Sequence, residues 1–232
     1  MKKVIVGMGT CGLSAGAQKT YDRLKELLSE DAGAFELSGT GCIGMCYREP
    51  LVEVREAGVR TIYGEVTPEL AGEIFTSHVK GGKRLDGHIV YGLEEGGEAH
   101  GSESEFLKSQ TRIVLRNCGT IDPESIDEYE AAGGYRGTRK ALLEMTPEGI
   151  IDEIKESGLR GRGGAGFPTG LKWSFAAGYE SDTKYIICNA DEGDPGAYMD
   201  RSLLEGDPHT VVEGMIIGAY AVGASEGYVY IR

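Results

Sequence analysis

From Gly158 the chain reads Gly158-Leu159-Arg160-Gly161-Arg162-Gly163-Gly164-Ala165-Gly166-Phe167-Pro168-Thr169-Gly170-Leu171-Lys172-Trp173, a backbone largely stripped of side chains with cations beside it. Such a backbone lets N–H groups come close to a phosphate or a flat ring system. Arg160, Arg162 and Lys172 suit an anionic ligand, and Phe167, Trp173 and Phe175 offer faces for stacking. Gly161, Gly163 and Gly166 spell G-x-G-x-x-G. A helical pattern precedes it where the dinucleotide fingerprint requires a strand, so the motif alone is weak. The plainer alternative is a glycine-rich surface turn.

Farther on, the apolar run Lys184-Tyr185-Ile186-Ile187-Cys188 reads as a buried strand that delivers Asn189-Ala190-Asp191-Glu192-Gly193-Asp194-Pro195-Gly196. Carboxylates at the carboxyl end of a strand stand where open α/β sheets bind ligands. There they accept hydrogen bonds from ribose or ribityl hydroxyls, or from a carboxamide. A solvated acidic turn is the alternative.

A second chemical cluster lies near the N-terminus. Cys42-Ile43-Gly44-Met45-Cys46 is a C-x3-C flanked by glycine, and a further thiol stands in Gly9-Thr10-Cys11-Gly12, which spacing alone does not place beside the pair. Thiolates at such spacing on loops ligate iron–sulfur clusters. Cys188, inside an apolar run, reads as core. His78, His88, His100 and His209 have no partners at metal-ligand spacing and read as surface or loop residues.

The elements that position these groups follow from pattern. Val4-Ile5-Val6 is a strand, Ala17 to Leu28 a helix, and Phe35-Glu36-Leu37 a second strand. Leu51 to Val54 and Val59 to Tyr63 form a hairpin across Glu56-Ala57-Gly58, and Thr67-Pro68-Glu69 opens a helix. The order β-α-β-β-β-α implies an α/β unit over residues 1–80. Residues 81–109, with Gly81-Gly82-Lys83-Arg84 and Glu94-Glu95-Gly96-Gly97-Glu98, read as a linker. Beyond it, Asp122-Pro123-Glu124 starts a helix that Gly133-Gly134 ends, and Thr146-Pro147-Glu148 opens another that stops at Gly158. Thr210 to Ala221 is an apolar helix, and residues 227–232 a strand at the chain end, which leaves an α/β domain unfinished and reads as an N-terminal portion.

Composition closes off several classes. With 24 basic and 37 acidic residues, the net charge of -13 repels phosphate backbones and anionic lipid. No stretch approaches the ~18 apolar residues of a spanning helix. The N-terminus lacks an export signal, so a cytoplasmic protein is expected, and five cysteines then point to metal or redox chemistry before disulfides.

The block Gly161 to Trp173, followed by Asn189-Ala190-Asp191-Glu192 and Asp200-Arg201, resembles the NADH-binding flavin subunit of respiratory complex I. The resemblance extends to relatives in NAD-linked soluble hydrogenases and formate dehydrogenases. Leu115-Arg116-Asn117, Ile121-Asp122-Pro123 and Gly133-Gly134-Tyr135 fit the same family, so residues 110–232 would be the first part of a Rossmann-like FMN/NADH-binding domain. The resemblance implies FMN cradled by Gly161, Arg162, Gly163, Gly164, Lys172, Asn189, Asp191 and Glu192, with Gly166 in the same loop. It also implies NADH laid over the flavin, its adenine near Phe167 and Phe175. Asp194 stands where complex I commonly has a glutamate that holds the nicotinamide end. Hydride transfer from nicotinamide to flavin needs no side-chain acid or base, so no catalytic residue is expected.

Residues 1–80 resemble the thioredoxin-like [2Fe-2S] ferredoxin module found beside this flavoprotein family, which implies Cys11, Cys42 and Cys46 as metal ligands. That module uses four cysteines, the first pair five positions apart; here Val6 and Gly16 occupy the positions five from Cys11. Either Cys118 or an outside group completes the set, or the module is a docking domain without a cluster. The resemblance as a whole implies an NADH:acceptor oxidoreductase subunit working with iron–sulfur and hydrogenase or formate dehydrogenase subunits. A [4Fe-4S] site would lie in a further C-terminal part. The rival is a non-catalytic assembly or docking protein that keeps the fold without cofactors.

Overall fold

The computed structural model describes residues 2–93 and 97–232, which leaves Glu94, Glu95 and Gly96 of the expected linker outside the described residues. The chain divides into two compact units, residues 1–125 with 202–207, and residues 126–201 with 208–232.

The first unit is a five-stranded sheet with β1 (Lys3–Gly7), β2 (Glu36–Thr40), β3 (Val52–Glu56), β4 (Val59–Tyr63) and β5 (Ile89–Leu93) in the order β2-β1-β3-β4-β5. β1 and β2 are parallel, whereas β3 is antiparallel to both β1 and β4. With α1 (Thr10–Ala15) and α2 (Ala17–Glu30) between β1 and β2, and α3 (Pro68–Ile74) after the hairpin, this is the thioredoxin-like arrangement. Alternation sends Val4, Val6, Val52 and Val54 to one face of the sheet. There they meet Ala17, Leu24 and Leu27 of α2 and Leu70, Ala71 and Ile74 of α3. Each of these larger side chains contributes roughly 1.5–3 kcal/mol by leaving water. Thr67 caps α3 by accepting the Leu70 N–H at 3.3 Å, with Pro68 at the first helical position.

Residues 81–109 are more than a connector. They hold a 3-10 turn (Asp86–His88), β5 and α4 (Ser104–Lys108), and β5 pairs antiparallel with β4. The polar, glycine-rich flanks concealed Ile89-Val90-Tyr91-Gly92-Leu93, where Ile89 and Val90 are buried in two core clusters. His78 also departs from expectation: it is buried, and its Nδ1 is 2.8 Å from the Tyr63 hydroxyl.

On the opposite sheet face Glu53 is buried between Arg55 (Nε, 2.8 Å) and Arg60 (Nε, 2.7 Å; Nη2, 2.9 Å). Burial pushes its carboxyl up, but the hydrogen bonds and charges of Arg60 and Arg55 outweigh it and hold the group below its ordinary 4.5. A depressed carboxyl contributes stability above its unfolded pKa and loses it as pH falls through the folded one. Glu53→Ala is therefore expected to cost about 3 kcal/mol in urea unfolding at neutral pH, by stranding two guanidinium groups. The difference from wild type should shrink as pH drops below 4.5.

The second unit contains α5 (Ile126–Ala131), α6 (Arg136–Glu144), α7 (Pro147–Glu156), α8 (Thr169–Gly178), β6 (Tyr185–Ala190), α9 (Met199–Gly206, whose last turns belong to the first unit), α10 (Pro208–Val222) and β7 (Glu226–Ile231). β6 and β7 pair in parallel, so β6-α9-α10-β7 is a Rossmann-like β-α-β passage. Its core gathers Ala141, Ile150, Ile151 and Ala221, with Trp173, Ile217 and Tyr220 packed around them. The carboxylate of Glu213 binds this helical layer, accepting the backbone N–H of Tyr135 (2.9 Å) and Thr138 (3.0 Å) and the Tyr129 hydroxyl. The expected burial of residues 184–188 is half met. Ile186 packs against the Gly218 and Gly227 backbones. Tyr185 and Ile187 face outward, 52% and 64% exposed, because only one strand pairs with β6 and its helices cover one face. Cys188 is half-buried for the same reason.

Candidate functional site

The glycine loop joins α7 to α8 and is pinned at its base. Gly161 N donates to Phe167 O (2.9 Å), Thr169 N to Leu159 O (2.9 Å), and the Arg160 guanidinium to Gly166 O (2.8 Å). The loop therefore ends on the N-terminus of α8, whose positive dipole end favours an anion. Gly170 is held there by close approach: a Cβ at this position would lie 2.6 Å from Lys155 N of α7.

Between this loop and β6 is a cleft of ≈ 590 Å³, a size typical of small-molecule sites. Gly161, Gly163, Gly166, Phe167 and Lys172 line it, joined by Trp173 and by Tyr185 to Ile187 of β6. Among the described residues Lys172 makes no side-chain hydrogen bond or ion pair, so its charge is available to the cleft. Phe167 is 46% exposed, with a face open for stacking. Arg162, Gly164 and Phe175 belong to the same loop and helix but not to the lining.

The acidic turn is organised differently from expectation. Glu192 accepts the backbone N–H groups of Met199 (2.7 Å), Asp200 (3.1 Å) and Arg201 (3.1 Å), capping the first turn of α9. Burial pushes its carboxyl up, and those three donors hold it below the ordinary range. Asn189 accepts the Asp191 N–H at 3.1 Å, shaping the turn. Asn189, near the carboxyl end of β6, and Asp191, Glu192 and Asp194, beyond it, lie outside the cleft lining.

In the first unit, Cys11, Cys42 and Cys46 converge. Their sulfur atoms all lie within 4.8 Å of one another, and Cys42 Sγ is 3.6 Å from Cys46 Sγ. Cys11 is in the first turn of α1, which is anchored by Glu205 accepting Thr10 N at 2.9 Å and also bonding the Thr10 hydroxyl. Cys42 follows β2, and Cys46 opens a 3-10 turn over Cys46–Arg48. Burial, followed by the Cys46 thiol, pushes Cys11 up to about 11; burial pushes Cys42 up farther. Thiols so raised stay protonated at neutral pH unless a cation replaces the protons, the usual behaviour of a metal site. Cys118 is separate: it is buried, with its Sγ 3.5 Å from Ser202 O.

Glu49 is the residue that pattern reading missed. It is 7% exposed, its Oε2 accepts Leu51 N at 2.8 Å, and its Oε1 has no partner. Burial pushes the carboxyl up to about 7 against the opposing Leu51 hydrogen bond. Its position beside Pro50 carried no signal, because its burial depends on β1 and α1 closing over it. Three soft thiols with an orphaned buried oxygen nearby are the chemistry of a metal centre, so the residues fit one.

Residues 154–232 match the family described as the Nuo51 FMN-binding domain. The chain is 64% identical over 125 residues to HndC, an NADP-reducing hydrogenase subunit of Solidesulfovibrio fructosivorans, covering 54% of this chain and 25% of that one. It is 55% identical over 120 residues to an NADH-quinone oxidoreductase subunit of Rhizobium meliloti (strain 1021), covering 52% of this chain and 28% of that one. The chain thus spans about a quarter of the length of the curated relatives it matches. The solved thioredoxin-like [2Fe-2S] ferredoxin from Aquifex aeolicus aligns with 39% of this chain and 96% of its own, at 25% identity and a TM-score of 0.36. No helix among the described residues is long and apolar enough to cross a membrane.

Proposed function

We propose, from the premise that residues 154–232 are a Nuo51-type FMN-binding domain, that the chain is the electron-entry part of an NADH:acceptor oxidoreductase. The carrying observation is the cleft in which the N-terminus of α8, the glycine backbone and an unpaired Lys172 converge beside open aromatic faces. Bound FMN would take a hydride from NADH and release its electrons singly, which is cofactor chemistry and not side-chain chemistry. The protein's share is binding and alignment. Gly161, Gly163, Gly164 and Gly166 let backbone donors reach the flavin, while Arg162 and Lys172 neutralise its phosphate. Phe167 and Phe175 stack on the adenine of NADH. Asn189, Asp191 and Asp194 receive hydroxyl and amide donors, whereas Glu192, committed to α9, fixes the shape of their turn.

Cys11, Cys42 and Cys46 would hold a [2Fe-2S] cluster, a one-electron carrier suited to draining a two-electron donor. The electrons then pass to partner subunits of a multisubunit complex, a soluble hydrogenase or formate dehydrogenase arm. An acidic chain of net charge -13 does not suit nucleic acid as a partner.

Anaerobic titration of the purified chain with FMN tests the reading. Saturable binding is expected, with the visible flavin band bleaching on addition of NADH. Lys172→Ala should weaken FMN binding about tenfold, ~1.4 kcal/mol for one charge-assisted contact. A chain that binds no flavin would instead support the assembly or docking role.

A further inference from the structure

We propose that Glu49 is the fourth ligand of the metal centre held by Cys11, Cys42 and Cys46, binding it through a carboxylate oxygen. The assignment rests on the iron–sulfur reading of those thiols.

The thiol set is one short of the four ligands that a two-iron cluster takes from protein. The remaining cysteines do not fill the place. Cys118 is directed to the Ser202 carbonyl, and Cys188 does not belong to the thiol group. Among the described residues no histidine joins the thiol group, and His78 is already bonded to Tyr63.

Glu49 has both the position and the unmet need. It directly follows the 3-10 turn that Cys46 opens, so its backbone is fixed relative to that thiol. Its side chain reaches across to the segment that carries Cys11. Its Oε2 lies 3.0 Å from where a Cβ on Gly7 would be, and 3.2 Å from where one on Gly12 would be. Two residues without side chains, at the end of β1 and in α1 beside Cys11, leave the space its carboxylate occupies. Oε2 is bonded to Leu51 N, but Oε1 is buried and bare. A buried acceptor without a partner is costly, and a bound cation relieves the cost.

Cys42 and Cys46, 3.6 Å apart, have the separation of two ligands on one tetrahedral ion with bonds of about 2.3 Å, and Cys11 stands within 4.8 Å of both, so the thiols form one tight group that leaves a ligand place to a donor from outside it.

The test uses the full chain reconstituted anaerobically with ferrous iron and sulfide, comparing wild type with Glu49→Gln and Glu49→Cys. Iron and sulfide analysis, Mössbauer spectra and the rate of iron loss to a chelator are read alongside the far-UV melting curve. Wild type should bind about two irons per chain in two inequivalent ferric sites, one with oxygen ligation. Glu49→Cys should keep the iron and make the sites equivalent. Glu49→Gln can still accept from Leu51 N, so it should melt like wild type while losing iron at least tenfold faster. Two equivalent sites in wild type, or unchanged spectra and iron retention in Glu49→Gln, would overturn the ligand assignment and leave the cluster in place. A wild-type chain that takes up no iron–sulfur cluster would overturn the cluster reading itself, and the assignment with it.

Discussion

Alanine at Gly163 is expected to leave the melting temperature unchanged or slightly raised while cutting FMN affinity tenfold or more. A Cβ built on Gly163 meets no atom within 4 Å, and its backbone lies outside the left-handed region. Nothing in the protein's own packing requires glycine there. Removing backbone freedom from the unfolded chain would by itself stabilise the fold by about 0.4–1 kcal/mol. Yet Gly163 lines the cleft, where a methyl group would stand between the backbone and a flavin pressed against it. A tenfold loss corresponds to about 1.4 kcal/mol, within the usual cost of forcing a methylene into a packed contact. Gly170→Ala is the contrasting substitution at the end of the same loop. Its Cβ would collide with Lys155 N and Cα, at 2.6 and 2.9 Å, so flavin affinity should fall together with stability. Flavin fluorescence titration and thermal melting on both variants separate the two kinds of glycine. Wild-type affinity in Gly163→Ala would remove the flavin from this part of the loop.

The difference between Gly163 and Gly170 also marks how far a sequence can be read. Features set by local chain chemistry were legible. Thr67-Pro68 and Thr146-Pro147 cap α3 and α7 through their hydroxyls, and Glu56-Ala57-Gly58 turns the β3–β4 hairpin. The grouping of Cys11 with Cys42 and Cys46 was expected from the resemblance to the ferredoxin module, and the three thiols do converge. Features set by distant partners were not legible. β5 is a short apolar run between polar stretches, and its pairing with β4 is what makes it a strand. Glu49 and Glu213 look like ordinary acids in sequence, but one is buried against β1 and α1 and the other receives donors from Tyr129, Tyr135 and Thr138. Glu192 was legible as a strand-end acid, but not its partners: its oxygens accept the N–H groups of Met199, Asp200 and Arg201 at the start of α9.

Gly12→Ala should be the most damaging single methyl in the first unit. Gly12 is buried in α1, next to Cys11, and its Cβ would lie 2.2 Å from the carbonyl oxygen of Gly7 at the end of β1. That oxygen belongs to backbone and cannot rotate away, so α1 and the end of β1 must separate. Their separation pulls Cys11 from Cys42 and Cys46 and opens the space that Glu49 occupies. We expect a loss of about 4 kcal/mol in urea unfolding, in the range reserved for clashes of core backbone. Iron uptake on anaerobic reconstitution should be lost as well. Gly72→Ala is the internal control. Gly72 is in α3 with nothing within 4 Å of its Cβ position, so the methyl group should stabilise that helix by about 0.5–1 kcal/mol. The substitutions are chemically identical, and opposite signs are expected because α1 must touch β1 to present its thiol, whereas α3 leaves room at Gly72. Equal melting curves for the two variants would mean that α1 does not bear on β1 in solution, and the thiol cluster would then lack its support.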